Sequence, residues 1–196
     1  MCSRYELIAT DQELRVRFDA KTNVDLDTNL IVFPTNHVPV IKTKGHLERA
    51  RWGLTNNWGG KLNINARAET LDSKKMFIPL LEHRCLVPAS GYFEWKKINK
   101  KNVKYRISAG DGNILALAGL FYNKDFTLIT CAPSDTISQL HPRMPAILDR
   151  SNESDWINPN LSFEQVTHLL KPYQGVGLRI QKTMDLPEQT ELFDNF

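Results

Sequence analysis

The chain has 196 residues, enough for one domain with a sizeable core and too few for two comfortable ones. Its hydrophobic (41%) and charged (24%) contents are those of a globular protein and argue against extended disorder, while a net charge of +3 is too mild to name a partner. No apolar run approaches the roughly 18 residues of a membrane helix and no signal pattern opens the chain, so the sequence reads as soluble and cytoplasmic.

The chain opens Met1-Cys2-Ser3-Arg4. A residue as small as cysteine behind the initiator permits removal of Met1, and Cys2 would then carry an α-amine and a thiol as a 1,2-aminothiol. Such a pair condenses with an aldehyde through the amine, and the thiol closes the imine to a five-membered thiazolidine. Intramolecular attack favours the ring, with effective molarities of about 10⁵ M or more. A cysteine falling second by chance is the alternative reading of the same residue.

Thr10-x-x-Glu13 reads as a capping box and predicts a short helix over 11–19, with Leu14 and Phe18 on one face. From residue 30 the texture becomes short β-rich runs bounded by Pro, Gly, Asn or Asp: 30–33, 38–41, 62–66, 85–88, 91–95, 103–108, 114–121, 126–131 and 176–180. Many short strands at this spacing suggest a curled or barrel-like sheet. A short helix is expected after Phe77, with Pro79 in its first turn and Leu80 and Leu81 inward. Another is expected from Ser162, where Gln165 completes a capping box and Phe163, Val166, Leu169 and Leu170 form an apolar stripe. The stretch 188–196 is acidic and expected to be loosely held. The three cysteines, with Cys85 and Cys131 inside apolar runs, argue against disulfides and zinc.

Four stretches hold chemistry that the fold alone does not explain. In Asn63-Ile64-Asn65-Ala66-Arg67-Ala68-Glu69-Thr70, period-two alternation would put Asn65, Arg67 and Glu69 on one face, either as a site or as a solvated strand face. In Gly91-Tyr92-Phe93-Glu94-Trp95 a carboxylate lies between large aromatics, which would desolvate it and raise its pKa. Glu94 is thus a general acid/base candidate, the alternative being a strand-edge ion pair with Lys96, Lys97 or Arg106. In His141-Pro142-Arg143-Met144-Pro145 a histidine able to titrate near neutrality stands in a turn stiffened by two prolines. Arg51-Trp52-Gly53 through Trp58-Gly59-Gly60 joins tryptophans to glycines and a cation, a composition that suits unstacked bases and phosphates, although tryptophans are more often core, Trp52 more so than Trp58.

Taken in order, Met-Cys-x-Arg, Asn-Ala-Arg-Ala-Glu-Thr, Arg-Cys-Leu-Val-Pro-Ala-x-Gly-Tyr-Phe-Glu-Trp and His-Pro-Arg-Met-Pro resemble the SRAP family, whose members shield abasic sites in single-stranded DNA by a covalent cross-link. The likeness runs from residue 1 to about 150. It implies a single α+β domain over residues 1–196, mostly antiparallel curled β-sheet in a pseudo-barrel with a few short helices and a positively charged cleft. The implied catalytic residues are Cys2 as nucleophile, Asn65 positioning it and the sugar, Glu94 as general acid/base in opening the sugar ring, and His141 assisting proton transfer at the imine. The implied DNA contacts are Arg4, Arg67 and Arg143 to phosphate, Trp52 and Trp58 in the Trp-Gly loop, and Pro34 and Thr130 lining the cleft. The resemblance implies no cofactor and no metal; the partner is single-stranded DNA carrying abasic sites, met by a monomer in the cytoplasm or on the nucleoid.

Two positions depart from the family pattern. Ser3 stands where many members have glycine, and Leu30-Ile31-Val32-Phe33-Pro34 replaces a Tyr-Asn-x-Ala-Pro segment. Lyase activity through the imine is a further implied outcome. Two other readings remain open at this point: a thiol peptidase or amidohydrolase using Cys2 with His141, and a single-strand binder that acts without covalent chemistry.

Overall fold

The computed structural model describes residues 2–21, 28, 30–55, 61–175 and 177–183. Its strands are β1 (Tyr5–Leu7), β2 (Leu30–Val32), β3 (His37–Thr43), β4 (His46–Trp52), β5 (Asn65–Arg67), β6 (Arg84–Ala89), β7 (Gly91–Ile98), β8 (Lys101–Ala109), β9 (Leu115–Tyr122), β10 (Asp125–Cys131), β11 (Met144–Pro145), β12 (Ile147–Leu148) and β13 (Leu178–Thr183). Short helices α1 (Asp11–Phe18), α2 (Asp135–Ser138), α3 (Glu153–Trp156) and α4 (Phe163–Val166) decorate them. The strands form two sheets. One is antiparallel in the order β13-β8-β7-β1-β2. The other runs β11-β10-β4-β3-β6-β9-β12, with β5 on β10, and pairing of β9 with β10 closes β3, β4, β10, β9 and β6 into a ring. This is the α+β pseudo-barrel that the resemblance implies.

Local chemistry explains the joints. Both β7–β8 and β9–β10 are two-residue hairpins, and Asn99-Lys100 and Asn123-Lys124 hold positive φ at both turn positions, the type I′ geometry whose twist matches the flanking strands. The expected helix over 11–19 is α1, with Thr10 and Glu13 capping each other's backbone N–H groups and Asp19 ending it in the left-handed region. The capping box at Ser162 opens α4, which tightens into a 3₁₀ turn over Thr167–Leu169. After Phe77 the chain makes only a 3₁₀ turn, Ile78–Leu80, in which the N–H groups of Leu80, Leu81 and His83 each reach back three residues.

Among the described residues four strands lie outside the expected set, β1, β4, β11 and β12, and β4 is the longest of them. β4 packs Leu47, Ala50 and Trp52 inward while His46 and Arg49 meet solvent, and this spacing, broken by an irregularity near Thr43, hides its period of two. The core fills the ring and the space beneath the open sheet, from Tyr5 and Leu7 through Trp52 and Phe126 to Trp156. Arg17 on α1 forks onto Glu153 of α3 through Nη1 at 2.8 Å and Nη2 at 2.5 Å, tying the helices together over largely dry ground. Among the described residues no helix is long and apolar enough to cross a membrane.

Candidate active site

Where the two sheets meet, the segment before β1 runs beside β7, and the Phe93 N–H donates to the Arg4 carbonyl at 3.0 Å. Cys2 is thereby laid against Glu94, fully buried, its thiol donating to the Arg4 carbonyl at 3.6 Å. Burial, with the Glu94 carboxylate adding to it, pushes the thiol far above its ordinary pKa, so it rests protonated.

β5 supplies the next group. It runs parallel to β10, with Asn65 opposite Leu128, Ala66 opposite Ile129 and Arg67 opposite Thr130. Ala66 is turned into the core, so Asn65 and Arg67 face the other way. Asn65 Nδ2 donates to the Cys2 carbonyl at 2.7 Å. Asn65 Oδ1 is buried and accepts no hydrogen bond from any described residue. Glu69, expected on the same strand face, instead lies in a 3₁₀ turn, Ala68–Thr70.

β7 supplies the acid. Tyr92 and Glu94 face one side of this strand, Phe93 and Trp95 the other. Glu94 is only 3% exposed, and burial above all raises its pKa to about 7. At neutral pH it is therefore divided between proton donor and proton acceptor. His141, just beyond α2, brings Nδ1 to 3.9 Å from Glu94 Oε1 and to 3.1 and 2.9 Å from the Arg143 N–H and carbonyl. Burial lowers its pKa, which favours the neutral ring. Cys2, Asn65, Glu94 and His141, far apart in sequence, thus meet in one place.

The expected DNA contacts divide. Arg4 lies between two rings, its guanidinium 4.5 Å from the Phe33 centroid and 5.2 Å from that of Trp95. Pro34 is half-buried beside Phe33, and Arg67 is exposed at the end of β5. Arg143 forks onto Glu69 at 2.6 and 2.9 Å and donates to the Thr130 carbonyl at 2.5 Å, and this bond to Arg143 holds the Glu69 carboxyl below its ordinary pKa. Two expectations need correction. Trp52 is fully buried, tilted on Tyr5 and stacked on Phe126, with its indole N–H donating to the Ile64 carbonyl, so no ring face remains for a base. Thr130 is fully buried too; its hydroxyl reaches the Ala66 carbonyl and Arg143, so it supports Arg143 from within and offers no surface to DNA. Trp58 lies outside the described residues.

The residues alone did not disclose four participants. Phe33 and Trp95 form the arginine clamp, and the hydroxyls of Tyr5 and Tyr92, whose pKa values burial above all raises, have no hydrogen-bond partner among the described residues. The alternation of Tyr92 with Glu94 could have pointed to the second tyrosine; nothing local marks Tyr5. Among the described residues no three His, Cys, Asp or Glu side chains are grouped to hold a metal. A recess of about 780 Å³ between α1 and β8 contains none of the four converging residues.

A family profile described as "SOS response associated peptidase (SRAP)" matches residues 1–185. The chain belongs to the SRAP family. Among SRAP relatives, the abasic site processing protein YoqW of Bacillus subtilis is 32% identical over 95% of this chain and 93% of its own length. The abasic site processing protein YobE of the same organism is 30% identical over the whole of both chains. A crystal structure of a protein from Bacteroides thetaiotaomicron superposes with a TM-score of 0.84 at 25% identity, covering 94% of this chain and 93% of that one.

Proposed function

We propose that this SRAP chain processes abasic sites in single-stranded DNA by cross-linking itself to them through Cys2. Once Met1 is removed, the Cys2 amine attacks the C1′ aldehyde of the ring-opened deoxyribose, and the carbinolamine loses water to give an imine. The Cys2 sulfur then adds to the imine carbon while its proton passes to nitrogen, closing the thiazolidine. The balance is one aldehyde and one aminothiol in, one adduct and one water out.

The observation that carries this reading is the juxtaposition of Cys2, pinned by Asn65, with a carboxyl group whose pKa is about 7. Opening the sugar hemiacetal and dehydrating the carbinolamine need a group that both gives and takes a proton near neutrality, and Glu94 meets that need. His141, favouring its neutral form, is placed to relay the proton. Asn65 Oδ1 offers a buried acceptor for a sugar hydroxyl or for the freed amine. The protonated thiol also favours an aldehyde chemistry begun by the amine over a thiol peptidase, which needs a thiolate at the outset. The imine has a second fate, because loss of a C2′ proton would expel the 3′ phosphate as in a lyase. Ring closure by sulfur removes the imine and suppresses that branch. A single strand suits the buried site because its sugar is reached without unstacking a duplex.

The experiment mixes protein confirmed by mass to begin at Cys2 with single-stranded DNA bearing one abasic site, beside Cys2→Ala and Glu94→Gln. The expected result is a heat-stable adduct of the summed masses less one water, absent in Cys2→Ala and slowed in Glu94→Gln. No adduct from the Cys2 protein would overturn the proposal.

A further inference from the structure

The hairpin that carries Glu94 continues well past it. β7 and β8 pair from Tyr92↔Ile107 out to Ile98↔Lys101. Support from the rest of the sheet stops earlier: β1 reaches only Tyr92 and Gly91 on one flank, and β13 reaches only Lys104 on the other. Among the described residues, the outer part of the hairpin, 95–103, is therefore a two-stranded ribbon with no strand on either side, closed by the Asn99-Lys100 turn.

That ribbon contains Lys96, Lys97, Lys100 and Lys101 and no aspartate or glutamate, with Lys104 at its inner border. Among the described residues, Lys96, Lys97, Lys100 and Lys101 have no ion pair; Lys104 lies over the Phe93 ring at 4.7 Å. Lys97, Lys100 and Lys101 are exposed, and so is Ile98. Like charges crowded on a ribbon repel one another, and a two-stranded ribbon without an apolar face is marginal by itself. A polyanion would relieve the repulsion at the cost of nothing the ribbon already holds.

Register gives the direction. Lys96 shares the face of Glu94, and Lys101, opposite Ile98, falls on that face as well. At about 3.3 Å per residue they lie about 7 and about 13 Å beyond Glu94 along the strand.

We propose that the β7–β8 ribbon is a second nucleic-acid contact, which holds the phosphates of nucleotides flanking the lesion while Glu94, on the same strand, serves the reacting sugar. The inference rests on the reading of abasic single-stranded DNA as substrate. It assigns to Lys96, Lys97, Lys100 and Lys101 the work of placing the strand, not of chemistry.

The test combines Lys96→Gln, Lys97→Gln, Lys100→Asn and Lys101→Gln in a Cys2→Ala background, so that only reversible binding is read. Affinity is followed against salt for a long oligonucleotide with one central abasic site and for a short one confined to the lesion and its immediate neighbours. A control removes two exposed lysines on other elements, Lys44→Gln with Lys171→Gln. The expected result on the long strand is a salt slope lowered by about 3, at about 0.7 per single-strand phosphate released. The gap should narrow on the short strand, and the control should leave the slope near that of the parent. A slope no lower than the control's, or an equal loss on both lengths, would overturn the proposal. If the fourfold variant fails to fold, Lys100→Asn with Lys101→Gln at the tip should lower the slope by about half as much. Failure of the Cys2 protein to cross-link would sink the covalent reading and leave this binding experiment to decide the ribbon separately.

Discussion

Asn65 donates its amide to the carbonyl of Cys2 across 2.7 Å, so a strand of the ring-shaped sheet holds the residue that carries the proposed nucleophile. The bond acts through position, because a misplacement of about 1 Å in a reacting pair can cost about 100-fold in rate. Asn65→Ala should slow adduct formation by about 10- to 100-fold in single-turnover gels while costing about 1 kcal/mol of stability. Asn65→Asp should slow it comparably, since a carboxylate cannot donate to the carbonyl. Unchanged rates in both variants would refute the positioning role.

Glu94 should govern two pH profiles. In the cross-linking reaction an inflection near pH 7 is expected in the wild type and absent in Glu94→Gln. In stability the sign follows from the raised folded pKa. Between about 4.5, the ordinary value, and about 7 the folded state binds more protons than the unfolded one, so this group's contribution falls as pH rises through that window. The full cost, on the order of 3 kcal/mol, is present above pH 7 and absent below about 4.5. Melting temperatures of Glu94→Gln should therefore exceed the wild type's at pH 8 and converge with them toward pH 4.5. A constant gap across that range would count against the assignment.

Arg143 meets any incoming phosphate with Glu69 already bound to it. Glu69 is half-exposed, so breaking the pair should change stability by less than about 1 kcal/mol. Its effect on binding should be larger. Glu69→Gln should tighten binding to an abasic single strand several-fold and steepen the salt dependence, while Arg143→Ala should weaken binding and flatten the slope by about 0.7. Weaker binding in Glu69→Gln would mean that the carboxylate orients the guanidinium usefully and does not compete with phosphate.

Trp52 tests the opposite kind of claim. Buried against Tyr5 and Phe126, it should cost about 3 to 5 kcal/mol when truncated to alanine, read from urea unfolding. The fraction that stays folded should bind DNA with the parent's salt slope. A selective loss of binding without loss of stability would restore the base-platform reading.

Two features were legible in single stretches because they are decided within a few residues. The capping boxes at Thr10 and Ser162 are reciprocal bonds between positions three apart, and both helices begin there. The raised pKa of Glu94 was also foreseen, but for a reason the structure revises. Phe93 and Trp95 alternate to the far face of β7, where Trp95 flanks Arg4, so they cannot be the wall that dries Glu94; Tyr92, two residues away, shares its side. β4 escaped notice because a strand with Glu48, Arg49 and Arg51 along it carries no continuous apolar run, and only its two neighbouring strands identify it as buried backbone.

The sequence by itself determined which groups the proposed chemistry can draw on: a cysteine at position 2, a strand asparagine, an acid and a turn histidine, in an order that resembles one family. Side-chain chemistry and local backbone preferences are properties of a residue and its near neighbours, so they survive in a one-dimensional reading. Only the tertiary structure decided which groups share a space: that Asn65 reaches back to Cys2 from 63 positions away, that Glu69 and not solvent faces Arg143, and that Trp52 belongs to the core. Burial and electrostatics depend on what lies across a gap of a few ångströms, and in a ring-shaped sheet those neighbours come from distant parts of the chain.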